Sequence, residues 1–204
     1  HAQLNLLDVN KNDDGSYTVP PAVTTGAELI DALEAGGNVK LGADIALKAS
    51  DANIEDDFYA YVVLNNNVTL DLNGYTLSCA VNPNWDDEYY YVCIGGSAEL
   101  IITDSVGTGK ILAREQHISF ESLYTDDGWT DVPSITVQGG TVNSIALSDG
   151  ATFGVTGGNV TVYLYDEDYY YSYDEYKDYL ESLTFTTDPT AYLPEGFNVV
   201  EKAD

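Results

Sequence analysis

Four times along the chain a short apolar strand, three turn-forming residues and a second short apolar strand follow one another. The unit reads Val62–Leu64, Asn65-Asn66-Asn67, Val68–Leu72, then Val92–Ile94, Gly95-Gly96-Ser97, Ala98–Ile102. It returns as Ile135–Val137, Gln138-Gly139-Gly140, Thr141–Ile145, and as Ile145–Leu147, Ser148-Asp149-Gly150, Ala151–Val155. Leu64 and Ile94 are 30 residues apart, Ile94 and Val137 43, Val137 and Leu147 only 10, so insertions break the period. A unit this short cannot bury its own inward face, but units that stack can share one apolar column, as in a parallel β-helix. Asn and Gly suit the corners because both tolerate left-handed backbone. The competing architecture is an antiparallel β-sandwich, which also has short strands and turn signals every roughly 8–12 residues.

The flanks of the repeat region read differently. Gln3–Val9 and Ser16–Val19 enclose Asn10-Lys11-Asn12-Asp13-Asp14-Gly15, whose Asp-Gly step supplies the positive φ of a tight hairpin turn. The run Gly26–Ala35 has helical spacing, with Leu29, Ile30 and Leu33 on one stripe and a Thr25/Glu28 capping box ahead of it. Gly36-Gly37 ends it. A second helix is expected over Tyr173–Leu183, opened by Ser172 and Glu175, with Tyr173, Tyr176, Leu180 and Leu183 as its apolar side. The open ends of a stack need covers. One continuous domain is therefore expected to divide into a hairpin and capping helix (1–37), β-helical coils with inserts (38–162) and a tyrosine-rich insert and cap (163–204).

The stretch TGAELIDALEAGGNVKLGADIAL with NNNVTLDLNGYTL, and the closing TFTTDPTAYLPEGFNVVE, resemble β-helical repeat regions, pectate-lyase-like or adhesin-like, in large surface proteins of gut Firmicutes. That resemblance implies an extracellular, right-handed β-helix, usually without catalysis. The fold class expected is thus all-β: a right-handed parallel β-helix (solenoid) with an N-terminal hairpin plus capping helix and a Tyr-rich C-terminal cap. The long acidic, tyrosine-rich inserts depart from the family pattern.

Charge narrows the partners. With 34 Asp and Glu against 7 Lys and Arg the formal charge is −27, which repels nucleic acid and anionic membrane surfaces. Hydrophobic residues make up 44% of the chain, and its 17 tyrosines argue against disorder. No apolar run is long enough to span a bilayer, so membrane insertion is not expected. Cys79 and Cys93 could form one disulfide in an oxidising compartment or stand as two buried thiols. The acidity, low Lys content and richness in Asn, Gly, Thr and Tyr suit a secreted or cell-surface bacterial protein.

Most carboxylates fall in inserts between strand units, each insert also carrying aromatics. Three explanations compete for this surface: plain solvation, calcium and partner binding. Clustered carboxylates take hard cations, and Asp56, Asp57, Asp86, Asp87, Asp126 and Asp127 are the candidate Ca²⁺ ligands; no other cofactor is expected. For binding, Trp85, Tyr89, Tyr90, Tyr124 and Trp129 could stack on sugar rings while carboxylates accept hydroxyl protons. A protein or a neutral or cationic glycan fits this charge, and polyuronates do not. A self-assembling filament or layer subunit is another reading, with other copies of the chain as partner. Enzymatic chemistry finds little support. A lyase acting on an acidic polymer needs cations, and the chain has one arginine, Arg114. Gly-x-Ser-x-Gly is absent, and neither His has flanking glycines. Among 34 carboxylates some pair will always meet the spacing a glycosidase needs. The expected function is a non-catalytic surface module that displays acidic aromatic loops.

Overall fold

In the computed structural model, which describes residues 10, 11, 13–52, 58–84 and 88–197, the chain is mostly β, with two α-helices and parallel main sheets. One sheet has six strands in the order Thr184–Phe185, Thr152–Val155, Ser134–Val137, Glu99–Thr103, Val68–Asp71, Gly37–Lys40. Every pairing in it is parallel. The parallel ladders settle the choice against an antiparallel sandwich.

The eight-stranded sheet is two ladders joined by one long strand. Ile45–Leu47, Thr76–Cys79 and Lys110–Leu112 lead to the first half of Thr141–Leu147. From its second half the path continues through Ile118–Phe120 and Tyr91–Gly95 to Tyr59–Val63, and Asn159–Tyr163 pairs along both halves. The strand bends at Ser144, φ 58°, where the register with Asn159–Tyr163 shifts. Inward positions stack in register: Val68, Leu100, Ile135, Phe153 and Phe185 in the six-stranded sheet, and Val62, Ile94, Phe120 and Leu147 in the Tyr59–Val63 ladder. Nearly all belong to one apolar cluster that includes residues of both sheets.

This arrangement explains the irregular repeat. Three of the four recurrent units are corners by which the chain returns from the Tyr59–Val63 ladder to the six-stranded sheet. The third, around Gln138-Gly139-Gly140, turns from the six-stranded sheet into the Lys110–Leu112 ladder instead. At the return after Phe120 a hairpin replaces the three-residue turn, with Tyr124–Thr125 paired to Gly128–Trp129, and after Tyr163 the tyrosine insert with the helix Tyr173–Ser182 replaces it. At the Gly95-Gly96-Ser97 corner, Gly96 has φ 122° and a Cβ there would collide with the Leu64 carbonyl, so the corner requires glycine.

Polar side chains tie successive passes of the chain together. Asn67 Oδ1 accepts from Glu99 N at 3.0 Å, Asp44 Oδ1 from Thr76 N at 2.7 Å, and Asn73 Nδ2 donates to Leu41 O at 2.9 Å. Asp104 receives Gly74 N at 2.8 Å and Gly109 N at 2.6 Å. Asp71 receives Asn73 N and Ser105 N and pairs with Lys40 at 3.4 Å. Burial pushes the Asp71 carboxyl up, but the Ser105 and Asn73 hydrogen bonds and the Lys40 charge outweigh it and hold the group below its ordinary value.

Both ends of the core are covered. α1 (Gly26–Ala35) has its capping box, Glu28 N donating to Thr25 Oγ1 and Thr25 N to the Glu28 carboxylate. It buries Leu29, Ile30 and Leu33 in the main cluster. At the other end Tyr192 joins that cluster, with its ring edge-on to Phe153 at 5.6 Å. The N-terminal hairpin is tighter than expected: Asn10–Lys11 pairs with Tyr17–Thr18, and Gly15 has φ 82°. Its expected arm Gln3–Val9 lies outside the described residues.

α2 (Tyr173–Ser182) starts at Ser172, which accepts from Glu175 N, but its packed stripe differs from the expected one. Tyr179 is its buried residue, Tyr176, Leu180 and Leu183 pack beside it, and Tyr173 is exposed. The cause is tertiary: the Tyr179 hydroxyl donates to Leu147 O at 2.8 Å and accepts from Tyr165 N at 3.2 Å. Cys79 and Cys93 are free, buried thiols, so the chain takes the unbridged alternative. Burial pushes the Cys79 thiol up to about 12, and burial followed by the nearby Glu121 charge raises Cys93. Among the described residues no helix is long and apolar enough to cross a membrane.

Candidate functional site

The outer face of the Tyr59–Val63 ladder builds the site. Its outward column runs Tyr61, Cys93, Ser119, Ala146, Tyr163 in register. The three middle residues are small, leaving a shallow trough that an aromatic insert can fill. The segment after Tyr163 folds back into it, and Ala146, Tyr165 and Tyr179 form a second buried cluster with Tyr163, Tyr170 and Tyr176 packed against it. Their rings interlock: Tyr165 on Tyr169 at 4.3 Å, Tyr170 on Tyr179 at 5.2 Å, and Tyr165 edge-on to Tyr163 at 5.6 Å.

Where this insert meets the Tyr124–Trp129 hairpin, an open groove of about 270 Å³ remains. Trp129, Tyr165, Tyr169 and Tyr170 supply its aromatic walls, and Glu121, Ser122, Ser148 and Asp149 its polar ones. A second open cavity of about 440 Å³ adjoins it, sharing Asp149 and Tyr170 and adding Glu175 and Asp178 from α2. Glu121 is held by the Ser119 hydroxyl, which donates to it, and Ser122 donates to Thr130 O. Burial raises Asp149 above the ordinary carboxylate value. Burial, then the charges of Glu121 and Asp149, raise the Tyr169 hydroxyl, so both carboxylates act on one ring at the groove. Tyr170 is raised by burial and then by Asp149. Among the described residues neither Lys nor Arg lines either cavity.

The residues expected to bind a partner are only partly gathered here. Tyr124 and Trp129 face each other across the hairpin, edge-on at 5.4 Å and 75% and 73% exposed, which puts two open rings at the groove's rim. Tyr89 and Tyr90 are elsewhere and half-buried. Arg114 sits 4.4 Å over the Tyr89 ring and His117 lies edge-on to it at 5.5 Å, so this ring is already occupied by packing. Trp85, with Asp56, Asp57, Asp86 and Asp87, lies outside the described residues. Asp126 and Asp127 are exposed at the hairpin turn, and among the described residues no group of three His, Cys, Asp or Glu stands close enough to hold a metal.

No family model, curated protein or solved structure matches the chain. The site therefore rests on its own chemistry. Reading the sequence missed Glu121 and Asp149. Asp149 looked like turn chemistry inside Ser148-Asp149-Gly150, and Glu121 stood alone between two apolar strands. What brings them together is the stacking of Phe120 beside Leu147, one residue before Glu121 and two before Asp149.

Proposed function

We propose that this chain is a right-handed parallel β-helix from an extracellular bacterial surface protein, non-catalytic, that holds a glycan or protein partner in the groove beside Trp129. The helical reading is supported by ladders that each collect one strand from successive passes. Side-chain bonds between passes span 30 to 34 residues in sequence. Right-handedness follows from the strong preference for right-handed crossovers between parallel strands. The surface location rests on the resemblance of the Thr25–Leu47 and Asn65–Leu77 stretches to repeats of bacterial surface proteins and on the acidic, lysine-poor composition.

The observation that carries the binding reading is the exposure of Trp129 and Tyr124 beside a cavity with hydroxyl and carboxylate groups on its walls. Aromatic faces bury large area at low entropic cost, and exposed Trp and Tyr beside polar groups are the usual anchors of recognition. The test is retention on a glycan array. Trp129→Ala and Tyr124→Ala are each expected to cut retention about tenfold or more, the loss of one anchor contact. Unchanged retention in both variants would remove the groove as the binding face.

A further inference from the structure

We infer that the groove selects a glycan bearing free, protonated amines, a de-N-acetylated amino-sugar oligomer, over its neutral acetylated counterpart. The inference rests on the glycan reading above and adds the chemical class. Glu121 and Asp149 line one cavity, and Asp149, Glu175 and Asp178 the other, with the two joined at Asp149 and Tyr170. Among the described residues no basic side chain lines either cavity. Two cations have partners of their own, Lys177 with Glu181 on α2 at 3.4 Å and Arg114 over Tyr89. The groove therefore presents uncompensated negative charge against tyrosine faces. An ammonium is attracted both by carboxylates and by aromatic faces, whereas an acetamide offers neither attraction. Ser122 and Ser148 add hydroxyls on the walls, and the exposed Trp129 ring at the rim, with Tyr124 edge-on beside it, offers an aromatic face of the kind a pyranose ring covers. That combination favours an amino sugar over a lysine-rich peptide, which would use the charge but leave the rim rings unfilled.

The experiment is titration calorimetry of the full chain at ~pH 6, where amines are protonated and ordinary carboxylates are not. The ligands are a glucosamine hexamer, the N-acetylglucosamine hexamer and a lysine oligomer. A chain of charge −27 attracts any polycation, so location is tested with Asp149→Asn/Asp178→Asn. That double variant changes only two of the 34 carboxylates, and both residues are exposed, so folding should survive, as circular dichroism will verify. The expected result is that the free-amine hexamer binds at least tenfold tighter than the acetylated one. The double variant should lose about tenfold for the amine and several-fold less for the acetylated ligand. Equal affinity for both hexamers overturns amine selection while leaving the glycan reading intact. Amine binding unchanged in the double variant also overturns it, since attraction would then belong to the whole surface. Lysine-oligomer binding that the double variant loses, with no response to either hexamer, overturns the amino-sugar inference and the glycan reading and leaves the groove with a protein partner.

Discussion

Tyr179 anchors the tyrosine insert beside the proposed groove. It is 1% exposed, its hydroxyl donates to Leu147 O and accepts from Tyr165 N, and its ring stacks on Tyr170. Tyr179→Phe keeps the shape but strands a buried carbonyl and a buried N–H, each costing about 1–3 kcal/mol when unpaired. A loss of that order in denaturant unfolding, with an unchanged m-value, is expected. The same residue sets a pH limit. Burial raises the hydroxyls of Tyr179 and Tyr165 above the ordinary tyrosine value. The neutral forms are those the fold favours, so this stability is fully present below the unfolded value of about 10 and is lost as pH rises toward the folded values. Thermal scans should show the melting temperature falling above ~pH 10, less steeply in Tyr179→Phe. A parallel fall in both proteins would contradict the role given to this hydroxyl. Tyr179 was not legible from the sequence as the pivot of α2: Tyr173, Tyr176, Leu180 and Leu183 make as good a helical stripe as Tyr176, Tyr179, Leu180 and Leu183.

Elements whose signals are local were read correctly. α1 is written in Thr25, Glu28 and the Gly36-Gly37 stop, and the structure has it at Gly26–Ala35 with both capping hydrogen bonds. The corners at Asn65-Asn66-Asn67, Gly95-Gly96-Ser97 and Ser148-Asp149-Gly150 were equally legible, because turn residues act within a few positions. What could not be read is how the inserts dock. The trough that receives the tyrosines is made by Cys93, Ser119 and Ala146, which meet only through strand register. Ala146 is fully buried beneath this insert. Ala146→Leu should therefore unseat Tyr165 and Tyr179 at a cost of about 1–3 kcal/mol while the inward Ile145 and Leu147 keep the ladder. The readouts are faster limited proteolysis within Asp166–Glu175 and a weakened near-ultraviolet tyrosine signal, with far-ultraviolet signal preserved. Global unfolding, or no change in proteolysis, would contradict this docking.

Over the whole molecule, two groups of carboxylates stand apart within the formal charge of −27. Asp44, Asp71 and Asp104 belong to the scaffold, where they accept the Thr76, Ser105 and Gly74 backbone N–H groups from neighbouring passes. The sequence pattern concealed that role, since their partners lie about one pass away. Glu121, Asp149, Glu175 and Asp178 belong to the face around the tyrosine insert, whose cavities no basic side chain lines among the described residues. The central claim is that this face, and not the acidic surface at large, meets the partner. Trp129 reports on it directly, because the chain has two tryptophans and Trp85→Phe leaves Trp129 as the only indole. Fluorescence of that variant, titrated with the glucosamine hexamer, should change saturably, with the same midpoint as the calorimetric binding. Heat of binding with Trp129 emission unchanged would place the ligand elsewhere and contradict the account.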